Sequence, residues 1–177
     1  ASAGWVKRYN GPGNCYDNAN AIAVDSGGNV YVTGSSGDAL SNYLSDYATI
    51  KYDANGNRKW VRRYDGPANS WDEAAAIAVD GVGNVYVTGG SYGSASDYAS
   101  DYATIKYDAN GNRKWVRRYN GPVKGRDEVT AMAVDSAGNV YVTGYSTGKT
   151  SDYDYATIKY DTNGNQKWIK RYNGAAN

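Results

Sequence analysis

Four kinds of short apolar segment recur along the chain, separated by polar, glycine-rich residues. The first, AIAVD at residues 21–25, alternates alanine with Ile22 and Val24. The second, NVYVTG at 29–34, sets Val30 and Val32 on one side of an extended segment and Tyr31 and Thr33 on the other. The third, DYATIKYD at 46–53, places Ala48, Ile50 and Tyr52 opposite Tyr47, Thr49 and Lys51, so both of its faces are partly apolar. The fourth, KWVRRY at 59–64, sets Trp60, Arg62 and Tyr64 against Lys59, Val61 and Arg63. A period of two over runs this short, bounded by Gly, Asn, Asp and Ser, predicts strands joined by hairpins. These strands are labelled a to d.

The four strands return as a set. DYATIKYDANGNRKWVRRY is identical at residues 46–64 and 101–119 and reappears as DYATIKYDTNGNQKWIKRY at 154–172. Trp5, Trp60 and Trp115 fall 55 residues apart, the interval to Trp168 is 53, and DxxGNVYVTG starts at Asp25, Asp80 and Asp135. Self-similarity at such a period marks a solenoid, propeller or array. Four antiparallel strands per unit, repeated radially, describe a β-propeller blade.

The radial order follows from side-chain size and charge. Alanine-rich strand a suits a crowded axis, and strand d, dense in Lys and Arg, suits an outer edge that must not pair with other chains. Strand c, apolar on both faces, fits a sheet covered on both sides by neighbouring sheets. The Asn55-Gly56 turn is expected to supply the positive φ angles of a tight hairpin. The expected organisation is one all-β domain over residues 1–177: an extra outer strand at 4–9 (WVKRY, d-type), then blades at 10–64, 65–119 and 120–172.

Composition supports this picture. Phe is absent while 19 Tyr, 5 Trp and 22 Gly are present, the usage of many short strands and tight turns. A net charge of +1, with basic residues alternating between strand faces, argues against a nucleic-acid partner. No apolar run approaches the roughly 20 residues of a membrane-spanning helix, so no membrane insertion is expected. Cys15 is the sole cysteine, which excludes an intrachain disulfide and a Cys-based zinc site.

The markers DSGGNVYVTG, DYATIKYDANGN and KWVRRYNG resemble those of the bacterial and archaeal SBBP-type β-propeller repeats, found mostly in secreted or cell-surface proteins. The resemblance implies an extracellular repeat module rather than a particular reaction. It also implies closed rings of six or seven blades, of which this chain supplies three.

Chemistry is sought where the units differ. The a-b turns (DSGGN, DGVGN, DSAGN) and c-d turns (DANGN, DANGN, DTNGN) on one side of the ring barely vary. The d-a and b-c loops on the other side vary strongly, and long loops on a rigid scaffold commonly carry function. Tyr16, Tyr43, Trp71, Tyr92, Tyr98 and Arg126 lie in these loops and are the candidate contacts for a protein or glycan partner. Trp60, Trp115 and Trp168 hold equivalent strand positions and are expected between blades instead.

No catalytic residues are assigned. Histidine is absent, which removes the commonest general base and both Ser-His and Cys-His nucleophile systems. Asp17, Asp72 and Asp127 recur before strand a, with Glu73 and Glu128 beside two of them, a repetition that points to a structural bond in every blade. Asp53, Asn55, Asp108 and Asn110 resemble pieces of a calcium loop, but Asp and Asn cap their own turns and no further acidic ligands follow, so neither metal nor cofactor is expected.

The expected function is a non-enzymatic, secreted or cell-surface interaction scaffold, either closing with a second chain into a six-bladed ring or belonging to a longer array. The alternative is a lectin-like, carbohydrate-binding propeller using the b-c and d-a loops. Three blades alone would expose an apolar face at each end of the arc, which favours self-association. The chain carries three copies of strands a, b and c but four of d, so residues 4–9 and 167–172 are expected to compete for one blade edge.

Overall fold

A computed structural model describes residues 4–38, 44–93, 99–150 and 152–174. Among these, twelve strands form three four-stranded sheets and no helix occurs. The first sheet holds β1 (Asp17–Val24), β2 (Val30–Gly37), β3 (Ser45–Tyr52) and β4 (Arg58–Tyr64). The second holds β5 (Asp72–Val79), β6 (Val85–Tyr92), β7 (Ser100–Tyr107) and β8 (Arg113–Tyr119). The third holds β9 (Asp127–Val134), β10 (Val140–Thr147), β11 (Tyr153–Tyr160) and β12 (Gln166–Tyr172). Every neighbouring pair is antiparallel and strands follow chain order across each sheet. Strand β5 packs on β1 on one side and β9 on the other, which puts the alanine-rich strands innermost.

Register turns the alternating sequence into two unlike faces. Ile22, Val32, Ile50 and Val61 lie in one row across the first sheet, and Ile77, Val87, Ile105 and Val116 in the second, giving each blade an aliphatic face. The opposite face is aromatic. Tyr31, Tyr47, Trp60 and Tyr64 of blade 1 pack on Val85, Val87, Ile105 and Tyr107 of blade 2, and Tyr86, Tyr102, Trp115 and Tyr119 repeat this against blade 3. Burial of each such side chain stabilises the stack by roughly 2–3 kcal/mol. Head-to-tail stacking of unlike faces explains why strand c is apolar on both sides.

Three local details differ from the sequence expectation. Strand a begins at Asp17, not at residue 21, because a bulge between Ala19 and Ala21 lets residues 17–19 continue the ladder beside Ser36, Ser35 and Gly34. The inner strand can approach only because Gly34 lacks a side chain: a Cβ there would lie 1.8 Å from the Asn18 carbonyl oxygen. At the c-d turn glycine alone takes positive φ (77° at Gly56), and a bulge between Lys51 and Tyr52 absorbs the extra residue. Residues 4–9, expected as an extra strand, lie outside the twelve strands, with no c strand of a preceding blade beside them among the described residues.

The basic d strands do more than guard an edge. Arg62 donates from Nε to the Gly111 carbonyl of the next blade at 2.6 Å, and Arg117 does the same to Gly164 at 2.6 Å. Arg63 turns inward to bond Ser36 and to pair with Asp46 at 2.9 Å, an arrangement that Arg118 and Arg171 repeat with Asp101 and Asp154. These ties link strand d to strands b and c of its own blade and to the c-d turn of the next.

Candidate functional site

The d-a loops are fixed by a carboxylate in every blade. Asp17, Asp72 and Asp127 accept the backbone N–H of Gly11, Gly66 and Gly121 at 2.8, 2.5 and 2.6 Å. Asp72 and Asp127 are fully buried, and burial pushes Asp72 up to about 6 against the opposing pull of the Ser91 hydroxyl and the Gly66 N–H. Closed off from solvent, these carboxyls hold the loop.

The residue before each aspartate is thereby placed on the rim. The carbonyls of Tyr16, Trp71 and Arg126 accept the N–H of Gly37, Tyr92 and Thr147 at 2.8, 3.3 and 3.2 Å. Ser45 and Ser100 reach from the preceding blade to the carbonyls of Asp72 and Asp127 at 3.2 and 3.1 Å. Tyr16, Trp71 and Arg126 are one structural position in three units, filled by three different side chains.

Two adjoining clefts open on this face. The one between blades 1 and 2, about 830 Å³, is lined by Tyr16, Cys15, Asn18 and Leu44, and the one between blades 2 and 3, about 450 Å³, by Tyr92, Arg126, Glu128 and Asn20. Trp71 and Glu73 line both, and Trp71 is 50 % exposed. Four sequence candidates, Tyr16, Trp71, Tyr92 and Arg126, are thus brought to one surface. Tyr43 and Tyr98 lie outside the described residues.

Polar groups in the clefts are arranged in short chains. Asn20 donates to the Glu73 carboxylate at 2.8 Å and to the Ala74 carbonyl at 3.0 Å. Arg126 pairs with Glu128, which also accepts the Tyr145 hydroxyl, and burial together with that bond pushes the Tyr145 phenol up to about 12. Sequence reasoning did not place Asn20, Glu73, Glu128 or Tyr145 in the site. Tyr145 carried a signal: Ser35, Gly90 and Tyr145 share one register and differ in every unit, whereas Asn18, Glu73 and Glu128 differ only between the first unit and the other two.

The opposite side carries filled hydrogen-bonding turns. Asp80 accepts from Val82 N, Asn84 N, the Asn84 amide and the Tyr86 hydroxyl at 3.1, 2.8, 2.7 and 3.0 Å, so both carboxylate oxygens are taken by donors. At the c-d turn, the Asn57 backbone N–H and side-chain amide hold Asp53 below the usual carboxylate range. Elsewhere, Asp46, Asp65 and Asp72 bring carboxylate oxygens within 4.8 Å of one another, with Asp46 already paired to Arg63 and Asp72 to the Gly66 N–H.

The profile of a β-propeller repeat, SBBP, matches the sequence three times, at residues 4–39, 59–94 and 114–150, together more than half of the chain. The chain belongs to the SBBP β-propeller repeat family. No curated protein matches it. Among solved structures it is similar to one described as the crystal structure of the eukaryotic initiation factor, with a TM-score of 0.55 and 9 % identity over 94 % of this chain. That likeness concerns the fold alone, and this SBBP chain spans 35 % of the other's length.

Proposed function

We propose that the protein is a non-enzymatic interaction scaffold of the cell exterior, a half-ring of blades that closes with a second copy and presents its loop face to a protein or glycan partner. The contrast between its two sides supports this. Positions 16/71/126, 18/73/128, 35/90/145 and 37/92/147 differ in every unit or nearly so and surround the clefts, while the turns opposite keep their Asp, Gly and Asn positions and their hydrogen bonds. A repeat diversified mainly at rim positions suits recognition, whereas catalysis would need a differentiated constellation of acid, base or nucleophile. Placement outside the cell rests on the company its repeats keep, in mostly secreted or surface proteins.

A lectin-like reading is favoured by one feature, the half-exposed Trp71 ring beside the Asn20–Glu73 pair. An aromatic platform flanked by amide and carboxylate groups offers a sugar both its stacking surface and its hydrogen bonds. An oligosaccharide array probed with the protein, Trp71→Ala, Glu73→Gln and the opposite-face control Val82→Ser tests both readings. Binding lost in the first two variants and kept in the third supports the lectin. Silence on the array leaves proteins as the partner class, and binding lost only in Val82→Ser sinks the assignment of the loop face.

A further inference from the structure

The outer tryptophans of blades 1 and 2 sit in seats built by the following blade. Trp60 donates from Nε1 to the Ala109 carbonyl at 3.3 Å, and Trp115 to the Thr162 carbonyl at 3.1 Å. The indole lies directly on the turn glycine: a Cβ on Gly111 or Gly164 would fall 2.9 or 2.8 Å from the ring. Arg62 and Arg117 clamp the same turns.

Trp5 occupies the same seat on blade 1. It donates to the Ala54 carbonyl at 3.3 Å, lies 2.6 Å from where a Gly56 Cβ would stand, and pairs with the Tyr52 ring at 5.7 Å as Trp60 does with Tyr107 at 6.2 Å. Tyr9 bonds Arg63 as Tyr64 bonds Arg118 and Tyr119 bonds Arg171. Residues 4–9 therefore hold the contacts of a neighbouring blade's outer strand without being in a sheet. They leave a groove of about 400 Å³ over Ile22, Val32 and Ile50, the aliphatic face of blade 1.

Blade 3 carries the complementary half with nothing on it among the described residues. Trp168 is 36 % exposed against 8 % for Trp60 and Trp115, and Lys170 stands where Arg62 and Arg117 clamp the next turn.

We propose that Trp168 of one copy enters the Gly56 seat of a second copy, displacing Trp5, so that residues 4–9 cap the seat until the aromatic face of blade 3 covers the aliphatic face of blade 1. This rests on the ring closure proposed above and names the contact that makes it. The occupant is a second copy because the two open faces are the two halves of the interfaces that blades 1–2 and 2–3 already form. Residues 4–9 are the ones to leave because they have no strand ladder. Strand β12 is paired with β11 from Tyr155–Tyr172 to Tyr160–Gln166, and Arg171 ties it to Ser146, Asp154 and Tyr119.

Sedimentation velocity on the full chain over a range of micromolar concentrations tests the exchange. Removing the competitor in Trp5→Ala raises the fraction of open seats and tightens association about tenfold. Lys170→Arg, which supplies the clamp used inside the chain, tightens it as well, and Trp168→Ala abolishes it. A Trp5→Ala variant that associates more weakly than the parent overturns the proposal, because residues 4–9 would then be what crosses between copies. Association that ignores Trp5→Ala, Lys170→Arg and Trp168→Ala alike overturns the seat exchange but spares the ring. Absence of association in every variant overturns both.

Discussion

Tyr155 and Tyr47 occupy the same place in their blades, opposite Tyr172 and Tyr64 of the outer strand, yet Tyr155 is 68 % exposed and Tyr47 1 %. Both lie in the sequence DYATIKY. What differs is the neighbour: the Tyr47 hydroxyl donates to the Ala103 carbonyl of blade 2 at 3.3 Å, while no blade covers Tyr155 among the described residues. Core membership in this protein is conferred by stacking between units rather than by local sequence.

Equivalent tyrosines should therefore have unequal value. Tyr102→Ala, which empties a buried site and removes a hydroxyl bonded to Tyr145 and Ala156, is expected to cost about 3–5 kcal/mol. Tyr155→Ala is expected to cost under about 1 kcal/mol at concentrations where single chains prevail. Urea unfolding of the two variants side by side measures the difference.

Stability should fall as pH rises from the ordinary aspartate range toward neutrality. The folded Asp72 carboxyl titrates near 6, above its unfolded value of about 3.9, so the folded state holds the proton more tightly. Its contribution is complete below the unfolded pKa and lost as pH rises through the folded one, a change on the order of 3 kcal/mol. Asp127 is shifted in the same direction, also by burial. Urea midpoints between pH 4 and 8 should drop less in Asp72→Asn than in the parent, and parallel curves would count against this account.

The turn aspartates accept hydrogen bonds from their own turns. Asp80→Ala removes the partner of the buried Tyr86 hydroxyl and is expected to cost about 2–3 kcal/mol. Asp53→Ala, in an exposed turn without such a tyrosine, should cost about 1 kcal/mol. Millimolar calcium should leave the melting temperature of the parent unchanged, and a clear rise would show that these oxygens bind the ion.

The fold was legible because each signal repeats three times: alternation fixed the strands, Asn-Gly the c-d turns, and alanine against arginine the inner and outer positions. The interblade clamp was not legible. Arg62 meets Gly111 across 49 residues, and nothing in the local pattern KWVRRY says that its guanidinium leaves its own sheet. Of the site, the aromatic rim at Tyr16 and Trp71 stood out as a departure from the repeat. Glu73 and Glu128 did not, because they stand beside the structural aspartates and only the bulge near residues 19–21 and its counterpart in blade 2 reveals how the inner strand is aimed at the cleft.

Ring closure is the central claim, and the mass of the particle in solution tests it most directly. Light scattering coupled to size exclusion should return twice the 19.1 kDa of one chain, monodisperse and independent of further concentration. A stable 19.1 kDa species at micromolar concentration, or a polydisperse polymer growing with concentration, would contradict it.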